Sequence, residues 1–196
     1  MLTTLAPLLL FAFITAVTPG PNNILLMAAG ANYGVRNSLP LFAGIVLGFP
    51  AMVWLVAFGL SSGLQGTGLV DWVQWLGLAY IAYLAWLLAT APVSQLEQEK
   101  PAPIGFTKAA LLQWINGKSW MMVTGAVAVY GSVDAVPWQQ ALLFAGVFLA
   151  TAIPTGLLWL VFGRLLKRYL QPPKRQKAFN LSMAALLLLS IVPAVI

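Results

Sequence analysis

Long uncharged, apolar runs alternate along the chain with short stretches that carry its charges. Five uncharged stretches are long enough for the roughly 20 apolar residues of a spanning helix, namely 1–35, 37–70, 72–96, 135–163 and 178–196. A sixth stretch, 109–133, is interrupted only by Lys118. The pattern predicts six spans, near residues 5–29, 39–63, 72–91, 107–130, 137–162 and 178–196. The predicted fold class is therefore all-α, in a polytopic membrane protein.

The composition supports this interpretation and excludes several kinds of chemistry. Hydrophobic residues make up 61% of the chain and charged residues only 7%, against about 25% charged in an ordinary soluble domain. The chain has no Cys and no His, so disulfides, the usual zinc sites and Cys or His catalysis are excluded. We therefore expect no cofactor and no metal, and a membrane-embedded enzyme is the weaker alternative.

The positions of the basic residues predict the orientation in the membrane. Nine of the ten Lys and Arg residues lie in odd-numbered connections, whereas the even-numbered connections carry only Asp71 and Asp134. Because basic loops stay on the cytoplasmic side, both termini should face outward. A cleaved signal peptide is an alternative for the first span, but the span lacks a basic start and is too long. The basic segment 164–177 fits this topology and anionic lipid contact better than nucleic-acid binding.

A proline-containing linker divides the chain into two halves. Residues 92–106 include Pro92, Pro101 and Pro103 and are typical of a flexible cytoplasmic connection. They separate repeat one, residues 1–91, from repeat two, residues 107–196, within a single transmembrane domain, 1–196. Three spans in each half give the halves opposite orientations. This is the arrangement of inverted-repeat transporters, whose substrate site lies near the membrane midplane.

The first span contains a predicted break at Thr18-Pro19-Gly20-Pro21-Asn22-Asn23. The two prolines lack backbone donors, and Pro21 suits the first turn of a restarted helix. The backbone N–H groups of Asn22, Asn23 and Ile24 should then be unpaired at the positive end of a half-helix, which attracts a carboxylate. A simple proline kink is the alternative.

The fourth span contains a second predicted break, from Gln113 to Lys118. Lys118 lies 12 residues after Phe106, which is about 18 Å of helix rise into a hydrocarbon core about 30 Å thick. A lysine there costs about 3 kcal/mol and by default marks a functional site. Snorkelling to the interface is the alternative. No acidic residue lies inside a predicted span, so the partner of Lys118 is a backbone carbonyl, an amide side chain, water or an anionic ligand. The two breaks together give the candidate substrate-binding residues: Pro19, Gly20, Pro21, Asn22, Asn23, Gln113, Asn116 and Lys118.

Glycine spacing predicts close approach between helices. Gly44 and Gly48 are four residues apart, as are Gly59 and Gly63, so each pair lies on one helix face. We interpret these residues as packing positions.

Four segments of the chain together resemble the LysE/RhtB family of amino-acid exporters over the whole length. They are TPGPN at 18–22, FAGIVLGF at 42–49, LGLAYIAYLAWLL at 76–88 and FTKAALLQWINGK at 106–118. Most members have Asn-Pro-Lys in the fourth span, where this chain has Asn116-Gly117-Lys118. The cysteine/O-acetylserine exporter branch also lacks that proline, so the departure favours this branch and disfavours basic amino acids.

The resemblance implies efflux of small neutral amino acids or their derivatives across the bacterial inner membrane, driven by the proton gradient. The expected partners are the amino-acid substrate, the coupling proton and the lipid bilayer. The sequence does not decide whether the chain forms a homo-oligomer, or whether Asp71 or Asp134 relays protons. Transport of inorganic cations on a related fold is the nearer alternative, but it normally needs acidic ligands in the membrane.

Overall fold

The computed structural model describes residues 2–61, 82–83, 85–86, 89–90, 104–132, 135–170 and 172–191. No strand occurs in these ranges, which confirms the all-α prediction. A short 3-10 turn, Lys167–Tyr169, follows the longest helix. The helices of the described ranges, in chain order, are α1 (Leu2–Val17), α2 (Pro21–Asn37), α3 (Leu39–Ser61), α4 (Phe106–Ile115), α5 (Gly117–Tyr130), α6 (Pro137–Leu166) and α7 (Pro173–Ile191).

Within the described residues, α3 and α6 are each long and apolar enough to cross a membrane. α1 and α2 meet the same criteria together, as a pair bent by 52°. The described part of the chain therefore contains two such spans, or three if the bent pair is one span. The third predicted span, 72–91, and the linker, 92–106, lie mostly outside the described residues, as do Asp71, Asp134 and Gly63. The six-span inverted repeat therefore stays a prediction.

Several helices extend beyond the predicted spans. α6 ends at Leu166, four residues after the predicted end at 162, and α7 begins at Pro173, before the predicted start at 178. α2 continues to Asn37 through a kink at Gly34, whose φ of 80° favours glycine. These extensions carry basic residues, among them Arg36 and Arg164. A charge near a membrane surface marks the limit of the apolar core and not the end of the helix, because water can solvate it there.

α6 is the central helix and packs against α1, α2 and α3. Its contact with α2 is close because glycines lie on both sides. A Cβ atom at Gly30 would overlap the backbone of Leu160, and one at Gly163 would overlap the backbone of Met27.

The apolar clusters show the direction of these helices. Leu8 of α1 shares a cluster with Phe144 and Phe148, near the start of α6, whereas Ala29 of α2 shares one with Leu160, nearer its end. The span formed by α1 and α2 therefore runs in the same direction as α6.

α3 and α4 form a second parallel contact. A Cβ atom at Gly44 would overlap the backbone of Phe106, and one at Gly48 would lie 2.6 Å from the Cα atom of Ala110. The close approach predicted from the spacing of Gly44 and Gly48 is confirmed. At the opposite end of the bundle, Leu8 of α1 belongs to the same apolar cluster as residues of α5 and α6. These contacts bring the α1–α2 break and the α4–α5 break next to each other.

Candidate functional site

The first break lies between Val17 and Pro21. Gly20 is extended there, with φ −172° and ψ 175°, and Pro21 begins α2 as predicted. The backbone N–H of Ile24 donates to the Gly20 carbonyl at 2.9 Å. The prediction that the Ile24 amide is unpaired is therefore wrong, because the N-cap carbonyl already accepts the first helical bond. Within the described part of the chain, the N–H groups of Asn22 and Asn23 have no acceptor, and no side chain caps α2.

Side chains satisfy the carbonyl groups that the break frees at the end of α1. Asn23 Nδ2 donates to two of them, and Trp159 Nε1 of α6 donates to a third. A helix end inside a membrane protein needs such partners, because unpaired carbonyls in hydrocarbon are costly. The bonds run from Thr18 Oγ1 to Thr15 O (2.9 Å), from Asn23 Nδ2 to Ala16 O (2.7 Å) and Thr18 O (2.8 Å), and from Trp159 Nε1 to Val17 O (3.2 Å).

The second break is a single extended residue, Asn116, between α4 and α5. Its side-chain Oδ1 accepts from the backbone N–H of Lys118 at 3.2 Å, so Asn116 caps α5. Asn is among the best residues for this purpose. Asn116 is buried. The sequence pattern placed the interruption between Gln113 and Lys118, and the structure narrows it to this one residue.

The ammonium group of Lys118 joins the two breaks. Its Nζ atom donates to Thr18 O at 2.7 Å, to Thr18 Oγ1 at 2.9 Å and to Pro19 O at 3.3 Å. These three acceptors match the three N–H donors of an ammonium group. They lie just beyond the C-terminal end of α1, where the helix dipole favours a cation. Of the partners that the sequence left open, backbone carbonyls and a hydroxyl are the ones found.

Gly20 provides the space that Lys118 occupies. A Cβ atom at this position would lie 2.6 Å from Lys118 Cδ and 2.9 Å from Nζ. Since Gly20 has an ordinary extended conformation, the requirement for glycine here comes from this close approach and not from the backbone angles.

The side-chain amides of Asn22 and Gln113 form a second link between the breaks. Asn22 Nδ2 donates to Gln113 Oε1 at 2.8 Å, and Gln113 Nε2 donates to Asn22 Oδ1 at 3.2 Å. Gln113 is fully buried. It also donates to Ala109 O at 3.0 Å and accepts from Ser119 Oγ at 3.4 Å. This buried polar network sets the relative position of α2 and α4.

A cavity of about 40 Å³ lies between the breaks. Five of the eight candidate residues line it: Gly20, Asn22, Asn23, Asn116 and Lys118. Pro19, Pro21 and Gln113 do not line it, but Pro19 bonds Lys118, Gln113 bonds Asn22, and Pro21 begins α2. The structure thus brings the candidate residues together, five of them around one small cavity.

Sequence reasoning missed several residues that line the cavity. They include three hydroxyl side chains, Thr15, Ser119 and Thr155, and the apolar residues Leu26, Ile45, Phe49 and Met122. A signal for one of them was present, because Pro154-Thr155-Gly156 is a further proline and glycine run inside an apolar stretch. For the apolar residues no signal existed, since they resemble any other residue that faces a helix neighbour.

Comparison with known protein families matches residues 13–192 to the LysE type translocator family. The chain is 35% identical to a Cysteine/O-acetylserine efflux protein of Salmonella choleraesuis (strain SC-B67), over 93% of this chain and 95% of the relative. It is 36% identical to the protein of the same name from Shigella flexneri serotype 5b (strain 8401), with the same shares covered. The relative of that name in Escherichia coli O139:H28 (strain E24377A / ETEC) is 35% identical, over 94% of this chain and 96% of the relative. No solved structure matches the chain.

Proposed function

The chain belongs to the LysE type translocator family, and we propose that it exports small neutral amino acids or derivatives, of the cysteine and O-acetylserine kind, from the bacterial cytoplasm. It is an amino-acid exporter and not an enzyme. The relatives named for cysteine and O-acetylserine efflux align along nearly the whole chain. Gly117, in place of the proline of most members, agrees with this substrate class.

One observation supports the site most directly: two broken helices meet around a cavity that carries donors for an anion. The N–H groups of Asn22 and Asn23 lie at the positive end of α2 and have no acceptor in the described part of the chain. These groups and the charge of Lys118 are suited to the α-carboxylate of an amino acid. The side-chain amides of Asn22, Asn23 and Asn116, which line the cavity, are the proposed partners of the other polar groups. Gln113 makes four hydrogen bonds already, so we propose that it acts by holding Asn22 in place.

The existing bonds of Lys118 limit how it acts. All three of its N–H donors already have acceptors on Thr18 and Pro19. In this conformation a carboxylate would therefore form hydrogen bonds with the α2 amides and interact with Lys118 through charge. A direct bond from Lys118 requires it to leave at least one carbonyl. We propose that this exchange accompanies substrate binding.

The cavity is small in this structure. About 40 Å³ holds roughly three water molecules, since each needs about 10–15 Å³ by this measure. An amino acid is larger than three water molecules, so its binding would need the cavity to widen. We therefore propose that the bundle opens toward one side of the membrane at a time, as in alternating access.

The packing of the described helices supports an inverted repeat. The first predicted span, α1 and α2, runs parallel to α6, in the fifth. α4, in the fourth predicted span, runs parallel to α3, in the second. In an inverted repeat, spans one and two correspond to spans four and five. The contact between spans one and five therefore corresponds to the contact between spans four and two. Parallel contacts of this kind also require connections one, three and five to lie on one side, as the basic residues predict. We propose six spans, with both termini periplasmic and the proton gradient as the energy source.

An export assay with an amino-acid panel tests the function. Cells that express the chain should release cysteine, O-acetylserine or similar neutral amino acids into the medium, measured by mass spectrometry, and tolerate toxic levels of them. Cells with the empty vector are the control, and a protonophore should abolish the release. Flux of inorganic cations without amino-acid release would favour the cation-transport alternative and reject this proposal.

A further inference from the structure

Two threonines in the cavity wall have already used their hydroxyl protons. Thr15 Oγ1 of α1 donates to Phe11 O at 2.7 Å, and Thr155 Oγ1 of α6 donates to Thr151 O at 2.7 Å. A hydroxyl has one proton and two lone pairs. Toward any further group, both hydroxyls therefore act as acceptors. Thr155 is 4% exposed, so this acceptor lies in the interior.

The side-chain amide of Asn23 can also only accept a further hydrogen bond, for a different reason. Both hydrogens of its side-chain amide are used, because Nδ2 donates to Ala16 O at 2.7 Å and to Thr18 O at 2.8 Å. Since carbonyls can only accept, these two bonds fix which end of the amide is nitrogen. The remaining oxygen, Oδ1, is an acceptor at a buried position, 7% exposed, in the cavity wall.

The cavity therefore combines two complementary sets of groups. The N–H groups of Asn22 and Asn23 and the charge of Lys118 suit an anion, whereas Asn23 Oδ1 and the hydroxyls of Thr15 and Thr155 suit a cation. In an α-amino acid, a single carbon separates the carboxylate from the ammonium group. A site for both must place donors next to acceptors, and Asn23 provides each kind from its own backbone and side chain.

We propose that Asn23 Oδ1, together with the hydroxyls of Thr15 and Thr155, binds the α-ammonium group of the substrate and so selects amino acids over simple carboxylic acids. This inference rests on the proposed export of amino acids. The groups that would select for the α-ammonium lie on α1, α2 and α6, and Lys118 is not one of them. Three acceptors match the three N–H donors of a primary ammonium.

The test compares isosteric variants in everted membrane vesicles. Thr155→Val and Thr15→Val remove a hydroxyl but keep the shape, and Thr155→Ser keeps the hydroxyl. Thr151→Val is the matched control, because Thr151 is also a buried threonine of α6 that bonds its own helix, at 3.2 Å to Val147 O, but does not line the cavity. Uptake of radiolabelled O-acetyl-L-serine is measured with and without 3-mercaptopropionate, a carboxylate without an α-amino group.

Thr155→Val should raise the half-saturation concentration for the amino acid about tenfold or more, since a hydrogen bond to a charged group is lost. Inhibition by 3-mercaptopropionate should stay as in the wild type, and Thr155→Ser should transport normally. A wild type that 3-mercaptopropionate does not inhibit also supports the proposal, because such a site requires the ammonium group.

Two results would overturn the proposal, and they differ from a failure of the proposed function. One is that Thr15→Val and Thr155→Val both match Thr151→Val. The other is an equal loss for the amino acid and for 3-mercaptopropionate. If the wild type takes up no amino acid, the proposed function itself is rejected and the inference with it.

Discussion

Asn22 and Gln113 bond each other in both directions, at 2.8 and 3.2 Å, and so connect the two broken helices although 91 residues separate them in the chain. Both amides use a donor and an acceptor in this pair. Because Gln113 is fully buried, no water can replace Asn22 as its partner without a change in packing. The pair therefore holds α2 and α4 in register.

A double-mutant cycle on this pair should show strong coupling. Gln113→Leu or Asn22→Leu alone leaves a polar group without its partner, which costs about 1–3 kcal/mol of unfolding free energy. Replacing both should cost less than the sum of the single changes. Thermal unfolding in detergent measures stability, and the ranking among exported substrates should also change in the single variants. Additive losses would contradict a direct role of the pair.

Lys118→Met should abolish most efflux while the protein still inserts. The change removes the charge next to the α2 amides, and it removes the donor that Pro19 O receives. We therefore expect export to fall by at least about tenfold, the effect of one charge-assisted hydrogen bond, with a modest loss of stability. Lys118→Arg should restore little, because a planar guanidinium differs in shape from a compact ammonium.

Lys108→Met is the matched control for this prediction, since Lys108 is an exposed lysine near the start of α4, the helix before the Asn116 break. Efflux is compared at equal membrane levels of each variant. Wild-type export by a well-expressed Lys118→Met protein would show that Lys118 only provides hydrogen bonds to the acceptors that follow α1.

Gly20→Ala tests the position of Lys118 without changing any charge. The added Cβ would lie 2.6 Å from Lys118 Cδ, so the lysine side chain must move. A flexible side chain moves at little cost, and alanine accepts the extended backbone of Gly20. We expect a thermal unfolding temperature close to that of the wild type but clearly reduced efflux.

Gly125→Ala is the control, because its Cβ would meet only Phe11 Cζ at an ordinary 3.7 Å. Equal efflux from the two alanine variants would mean that the exact place of the ammonium group does not matter for transport.

Introduced cysteines should reveal the topology, because the chain has none of its own. Cysteines near Arg36, in the segment 92–108 and near Lys174 should be shielded from an impermeant reagent outside intact cells. Those at Ser132 and Ala135, near the predicted outer connection, should be labelled. The reverse labelling pattern would reject the orientation. Labelling of both groups of cysteines would contradict the placement of connections one, three and five on one side of the membrane.

How much the sequence could predict depended on the kind of interaction. Proline, glycine and a charge in an apolar span are local signals with local causes, so the two breaks and the start of α2 at Pro21 were predictable. The partner of Lys118 was not, because 100 residues separate it from Thr18 and only the fold brings them together. The uncharged stretches also underestimated the lengths of α6 and α7, because these helices continue past the apolar core into water.

The same limit explains the error at Ile24 and the missed Thr155. The Ile24 amide is paired only if the Gly20 carbonyl acts as the N-cap acceptor. This depends on the backbone angles at Gly20, and the sequence is compatible with several values of them. Thr155 lies in a different predicted span from either break. Only the packing of α6 against α2 brings it into the cavity wall.

The double change Pro19→Ala/Pro21→Ala separates a kink from a binding site. In a continuous helix, the N–H groups of Asn22 and Asn23 would donate to the carbonyls of residues 18 and 19. These are the carbonyls that Lys118 bonds in the present structure. The change would thus hide both amides and displace the ammonium group at once. We expect export to fall at least about tenfold for every substrate, since each charge-assisted bond that is lost costs about that much and all amino acids share the carboxylate.

The control for this last prediction is Pro7→Ala, which removes a proline of α1 that does not break the helix. It should leave export unchanged. Circular dichroism and the unfolding temperature establish that the double variant is folded, and continuous helix bonds should keep or raise its stability. If the folded double variant exports as the wild type does, the end of α2 does not bind the carboxylate. The contacts between Lys118 and the residues after α1 would then be structural, and amino-acid recognition would have to come from another part of the cavity.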